Sequence, residues 1–471
     1  MALAFDIERV VRDLLRCDLH RRAGSRDLVG HVMDLLYYGE FQIVEQVTAW
    51  SEQDQTNLVG LRGPAEAGGG LLLSSALEGA TALDPLEWTE TEEDPFNATL
   101  RDGMMFGAGA ASAKIALACQ VVAAASIDAK LLKRPIIIGA LLGDDARASG
   151  ATHVLDSGVA SPRAALVGEG TRLELVSAHR GLLSLALELH APSTPTPSDA
   201  RWFRVRIAGQ PASSAAPTLG ENALGRALGL IVAWRAAGHR FSVHALSGGE
   251  AIGRIARRTE LYVATTEPGF TPLGRALEVE AIAAPSLVGP SIDAALDAWF
   301  RLAPRLWELL RWASPESIGE FCPTRPLVAL TRIVTHPDGS IRVHLDHRPA
   351  PGEAVETLVR DVEALARQPG MAPATVLVEV ERSLLPFQGD DTGPLAQWAR
   401  SALVEIDVPP VVGTYAGHTE AFATAGAGIE TLVFGPGDTL AHAHRPNELT
   451  LMLHVERARA FYERMIRKIC C

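Results

Sequence analysis

The apolar run Ile136-Ile137-Ile138-Gly139-Ala140-Leu141-Leu142 places no polar side chain on either alternate set of positions. A strand built from it has to be covered on both faces. Shorter runs at Leu71-Leu72-Leu73 and Ala164-Ala165-Leu166-Val167 share that character. Between them, Ala113 to Leu132 is Ala-rich and apolar nearly all round, the pattern of a buried helix. Strand, helix, strand in this order predicts an α/β sheet with crossover connections. A further helix pattern runs from about Ile7 to Leu36.

The pattern changes near residue 180. Ala191-Pro-Ser-Thr-Pro-Thr-Pro-Ser-Asp199 cannot hold a helix or a central strand. Phe203, Val205 and Ile207 then alternate with Arg204, Arg206 and Ala208, and Ile341, Val343 and Leu345 alternate with Arg342, His344 and Asp346. Such alternation predicts antiparallel strands with one solvated face. Helices are expected at Glu221–Ala237 and Asp293–Trp312, the second carrying Trp299, Trp307 and Trp312 in the core or at a subunit interface. After residue 390 buried strands resume at Val411-Val412 and Thr431–Phe434. The chain closes on an amphipathic helix through Leu451, Val455, Ala458, Tyr462, Met465 and Ile469. A length of 471 residues exceeds one ordinary core. An α+β domain of residues 181–385 therefore interrupts an α/β domain of residues 1–180 and 386–471.

Lys plus Arg number 43 against 56 Asp plus Glu, a net charge of −13. That balance argues against a nucleic-acid partner, whose binding rests on cations facing phosphates. A hydrophobic content of 47 % with 21 % charged residues excludes a disordered chain. The five cysteines, Cys17, Cys119, Cys322, Cys470 and Cys471, are odd in number and fit a reducing compartment. Asp6 and Glu8 interrupt the first apolar residues, so no signal peptide is expected. No apolar window reaches the ~18 residues of a membrane span. The expectation is a cytoplasmic protein without a membrane partner, with Cys470-Cys471 a surface feature rather than a lipidation site.

One stretch is specific. Glu87-Trp88-Thr89, Asp94-Pro95-Phe96 and Leu100-Arg101-Asp102-Gly103-Met104-Met105-Phe106-Gly107-Ala108-Gly109-Ala110-Ala111 resemble a segment of the acetylornithine deacetylase/succinyl-diaminopimelate desuccinylase/carboxypeptidase family of zinc metallopeptidases. Val167-Gly168-Glu169, His179-Arg180-Gly181, Gly220-Glu221-Asn222-Ala223, Asp346-His347-Arg348-Pro349, Phe434–Asp438 and Ala443–Glu448 agree in order. The resemblance implies a zinc-exopeptidase-like catalytic-type α/β domain with an inserted α+β lid/dimerisation domain, and hence a homodimer. It implies cleavage of peptide or N-acyl amide bonds by two zinc ions and a carboxylate base.

Carried over residue by residue, that site is incomplete. The first metal histidine falls on Ala76, the bridging aspartate on Ser112, and the lid histidine on Ser213. The acidic pair, base then ligand, falls on Asp144 and Asp145, the other acidic ligand on Glu169, and the last histidine on His444. Catalytic zinc takes three protein ligands and an open position, so these residues suffice for one ion at most.

Each retained residue has a plainer alternative. His444 is a ligand or a surviving loop residue. Asp144 and Asp145 are base and ligand or caps of a helix near Ala146. Glu169 is a ligand or a solvated carboxylate. His344 and Asp346 are expected to face solvent, Gly107 and Gly109 to serve close backbone packing, and Ser112 and Lys114, two apart on a helix, not to meet. Two functions follow. One is a non-catalytic relative, a pseudoenzyme that binds a small amide or amino-acid-like ligand or assembles with itself or an active relative. The other is an amidohydrolase with a single zinc on Asp145, Glu169 and His444 and Asp144 as base.

Overall fold

The computed structural model of the chain describes all residues except 1–5, 19–21, 49–54, 65–66, 78–83, 142–149, 160, 251–252, 275–276, 286–288, 313–320, 322 and 444. The chain divides into two compact units: Met1–Arg180 with Leu385–Cys471, and Gly181–Leu384.

The first unit opens with α1 (Ile7–Leu15) and α2 (Arg22–Tyr38), where the periodicity predicts one helix from Ile7 to Leu36. Polar residues after Leu15 break the apolar face, and the Arg16 amide closes α1 on the Arg12 carbonyl. There follow β1 (Gln42–Thr48), β2 (Gln55–Arg62), β3 (Leu71–Ala76), β4 (Thr99–Arg101), β5 (Met104–Phe106), α3 (Ala113–Ala125), β6 (Ile136–Leu141), α4 (Gly150–Asp156), β7 (Ala164–Gly168) and β8 (Leu175–His179). Every residue of β6, β7 and α3 is buried, as continuous apolar runs require. The helix α3 stops at Ala125, short of the expected Leu132. The Ser126 hydroxyl turns back onto the Ala123 carbonyl, and a single 3₁₀ turn, Ala129–Leu131, follows.

The inserted unit contains β9 (Leu182–His190), β10 (Arg201–Ala208), α5 (Ala223–Ala236), β11 (Ser242–Gly248), β12 (Arg258–Thr265), β13 (Leu277–Ile282), α6 (Asp293–Trp312), β14 (Leu327–Thr335), β15 (Ile341–Arg348), α7 (Val355–Ala366) and β16 (Thr375–Leu384). Its strands form one antiparallel sheet in the order β13-β10-β12-β11-β14-β15-β9-β16. Leu183, Leu185, Leu187 and Leu189 of β9 pack on one face with Trp299 of α6 and Val362 of α7. Trp307 is exposed rather than in the core, and the Trp312 side chain lies outside the described residues.

The polar face of β15 departs from the expected alternation. His344 and Asp346 are buried, not solvent-facing. Asp346 accepts from Ser184 Oγ at 2.7 Å and from the Gly253 amide at 2.9 Å, and His344 Nδ1 lies 2.8 Å from Glu381. These partners make burial tolerable for groups that would otherwise require water.

The chain returns through β17 (Phe387–Gln388), α8 (Pro394–Val404), β18 (Val412–Tyr415), α9 (Ala421–Gly426), β19 (Glu430–Phe434), α10 (Thr439–His442), β20 (Leu449–Leu451) and α11 (Met452–Cys470). The sheet of the first unit runs β1-β2-β6-β3-β7-β19-β8-β17, with β18 also on β8. Its centre, β6-β3-β7-β19, is parallel. The buried helix α3 packs against α11, α1 and β3. Cys470 at the end of α11 is buried, its thiol 3.5 Å from the Pro135 carbonyl, so it is not the surface feature expected of it. Among the described residues no helix is long and apolar enough to cross a membrane.

Candidate functional site

The four parallel strands end in register: Ala76 lies opposite Leu141, Ser75 opposite Gly168, and Gly168 opposite Phe434. Open α/β sheets bind ligands outside these carboxyl ends. Glu169 follows β7 and α10 follows β19, and the 107–112 loop that enters α3 meets them through the Ala111 carbonyl and Thr439.

Ala76 ends β3 and offers no donor atom. Ser112 is the N-cap of α3, yet its hydroxyl does not cap the helix. It donates instead to the Gly109 carbonyl at 2.7 Å. Lys114 is buried, with Nζ 3.4 Å from the Ala108 carbonyl. Burial lowers its pKa, and the neighbouring Glu448 carboxylate opposes that shift. Glu448, also buried, accepts from the amides of Gly109 at 3.1 Å and Ala111 at 2.9 Å. Ser112 and Lys114 therefore serve different carbonyls. Gly109 has φ +89°, a left-handed conformation that favours glycine, and a Cβ there would press on the Lys114 tail 2.5 Å away.

Glu169 follows β7 directly. Its Oε1 accepts from the Gly170 amide at 2.8 Å and meets the Thr439 hydroxyl. Thr439 Oγ1 also lies 2.6 Å from the Ala111 carbonyl. Burial pushes the Glu169 carboxyl above the usual range. The hydrogen bonds from Thr439 and Gly170 and the nearby His418 pull the other way. Asp438 caps α10 by accepting from the Ala441 amide at 3.0 Å. Burial lowers the pKa of His442 at the other end of α10.

His179, at the end of β8, is fully buried. Its Nδ1 is 2.9 Å from the Arg180 carbonyl, and Nε2 accepts from the Thr419 amide at 3.3 Å. Desolvation holds its pKa down at about 3. In the inserted unit, Ser213 Oγ accepts from the Ala215 amide at 3.2 Å.

Of the sequence-derived site residues, Glu169 is placed beyond the carboxyl ends of the strands. Asp144, Asp145 and His444 lie outside the described residues. Among the described residues no group of three or more His, Cys, Asp or Glu side chains is arranged to hold a metal ion. Sequence reasoning did not single out Thr439 or His418. No local spacing marks either one, since Thr439 meets Glu169 from 270 positions away.

The likenesses to known proteins follow the same lines. The solved structure of the aminoacylhistidine dipeptidase from Vibrio alginolyticus aligns with a TM-score of 0.59 and 14 % identity over 98 % of this chain and 95 % of that one. An M20 family metallo-carboxypeptidase from Sulfolobus solfataricus aligns with a TM-score of 0.60 and 13 % identity over 98 % of each chain. A dinuclear metal-binding M20 peptidase from Bacillus subtilis aligns with a TM-score of 0.51 and 12 % identity over 98 % of this chain and 97 % of that one. They share the mixed α/β fold, a catalytic-type domain with an inserted dimerisation-type domain. The sequence pattern of peptidase family M20/M25/M40 matches residues 82–468, most of the chain. The chain belongs to peptidase family M20/M25/M40.

Proposed function

We propose that this chain is a non-catalytic member of its family, one that has lost the two-zinc site and acts by binding or assembly. The observation that carries the proposal is the donor set. Where the resemblance puts the first metal histidine stands Ala76, without a donor, and where it puts the bridging carboxylate stands Ser112, whose hydroxyl proton is engaged by the Gly109 carbonyl. A paired site needs shared oxygens that keep its ions ~3.5–4 Å apart, and a neutral hydroxyl is a poor substitute for a carboxylate. The two-zinc arrangement therefore does not fit these residues. A small amide or amino-acid-like ligand matches the family's substrate class, and self-association through the inserted unit or pairing with an active relative matches its dimerisation-type domain.

The competing reading is an amidohydrolase with one zinc on Asp145, Glu169 and His444 and Asp144 as base. Metal analysis of protein purified without chelator, beside an assay on N-acyl amino acids and dipeptides, separates the two. The expected result is less than a stoichiometric amount of metal and no turnover with added zinc or cobalt. About one zinc per chain, with hydrolysis abolished in His444→Ala, would overturn the proposal.

A further inference from the structure

Metal ions in a site of this kind also hold structure together, because their ligands come from separate strands and loops. Once the ions no longer fit, something else has to join those elements. We infer that the Thr439 hydroxyl is that joint: a metal-free tie binding the end of β7, the loop before α3 and the start of α10. The inference rests on the reading that the two-zinc site is lost, and goes further by naming what replaced its structural role.

Three observations carry it. First, Thr439 Oγ1 lies between two oxygens, the Glu169 carboxyl and the Ala111 carbonyl at 2.6 Å, and its single proton is shared between them. Ala111 immediately precedes Ser112, so the contact falls beside the position where the bridging carboxylate is missing. The main chain reinforces it, since the Thr439 amide donates to the Gly170 carbonyl at 3.2 Å.

Second, the space is closed. A Cβ added at Gly170 would lie 2.5 Å from Thr439 Oγ1 and 2.8 Å from the Ala111 carbonyl oxygen. Backbone and hydroxyl are already in close contact where these segments meet.

Third, the remaining groups of the loop are engaged within the protein. Glu448 takes the Gly109 and Ala111 amides. Ser112 takes the Gly109 carbonyl, and Gly170 supplies an amide to Glu169. Hydrogen bonds thus join segments that neighbour the carried-over ligand positions 112 and 169. Losing the hydroxyl takes away the donor that the buried Ala111 carbonyl and the half-buried Glu169 carboxyl share, and leaves Glu169 only the Gly170 amide, which weakens the network.

The test is thermal unfolding of the full chain as wild type, Thr439→Val and Thr439→Ser, each with EDTA, with zinc chloride and with neither. Amide hydrogen exchange at residues 107–112 and 168–170 is followed in parallel. The wild-type midpoint is expected to stay unchanged by chelator or zinc. The midpoint of Thr439→Val is expected to fall by roughly 2–4 °C or more, with protection lost at both segments. Thr439→Ser, which keeps the hydroxyl, should recover most of the shift. A Thr439→Val protein that melts and exchanges like wild type overturns the tie but leaves the metal-free reading standing. A wild-type midpoint lowered by EDTA, with protection lost at the same segments, overturns both.

Discussion

His179 shows how far a single side chain can be from its ordinary behaviour. Its Nδ1–H faces the Arg180 carbonyl and its Nε2 accepts the Thr419 amide, an arrangement that suits only the neutral ring. An unfolded imidazole takes up a proton below its ordinary value of 6.5, while the folded one resists until about 3. Between those values the unfolded state holds more protons, so stability falls as pH falls through that window. The contribution lost between about pH 7 and about pH 4 is on the order of 3 kcal/mol. In His179→Gln, urea unfolding should show a smaller loss of stability over the same interval than wild type; equal losses would refute the assignment. The His179-Arg180-Gly181 motif is visible in the sequence, but its role is not. The two partners of the ring are a neighbouring carbonyl and an amide 240 positions away.

At the scale of elements, α3 concentrates the problem. Its apolar character all round predicts a buried helix, and every one of its residues is buried, Lys114 included. What makes that lysine tolerable is Glu448, at the end of the chain segment that also carries α10. Removing one member leaves the other buried without its counter-charge, whereas removing both is milder. Lys114→Met should therefore lower unfolding stability by roughly 1–3 kcal/mol, the cost of a buried polar group left short of a partner, and Lys114→Met with Glu448→Gln should be more stable than the two single effects added together. Additivity in this double-mutant cycle would show that the groups do not interact. The strand β15 teaches the complementary lesson. Its period-two pattern is correct, but the face assigned to solvent is covered, because Ser184, Gly253 and Glu381 supply partners for Asp346 and His344. No local pattern marks strands β1 and β2, because polar and charged residues interrupt their apolar positions. Their pairing with one another and with β6 stabilises them instead.

For the molecule as a whole, the two units carry separate cores, and the ends of the insert meet: Leu182 pairs with Leu384. Residues 181–384 expressed alone should therefore fold, giving a β-rich circular dichroism spectrum and cooperative unfolding; a non-cooperative melt would contradict this. The sequence by itself determined the buried parallel strands β3, β6 and β7, the all-buried helix α3 and the family motifs. Side-chain pattern and local spacing carry that information directly. It also determined which donor atoms are absent, since Ala76 and Ser112 have the same chemistry in any fold. Only the tertiary structure decided what the remaining polar groups do. Thr439 reaching Glu169, Glu448 facing Lys114 and Thr419 holding His179 are encounters across hundreds of positions, and burial gives each contact a strength that no local pattern encodes.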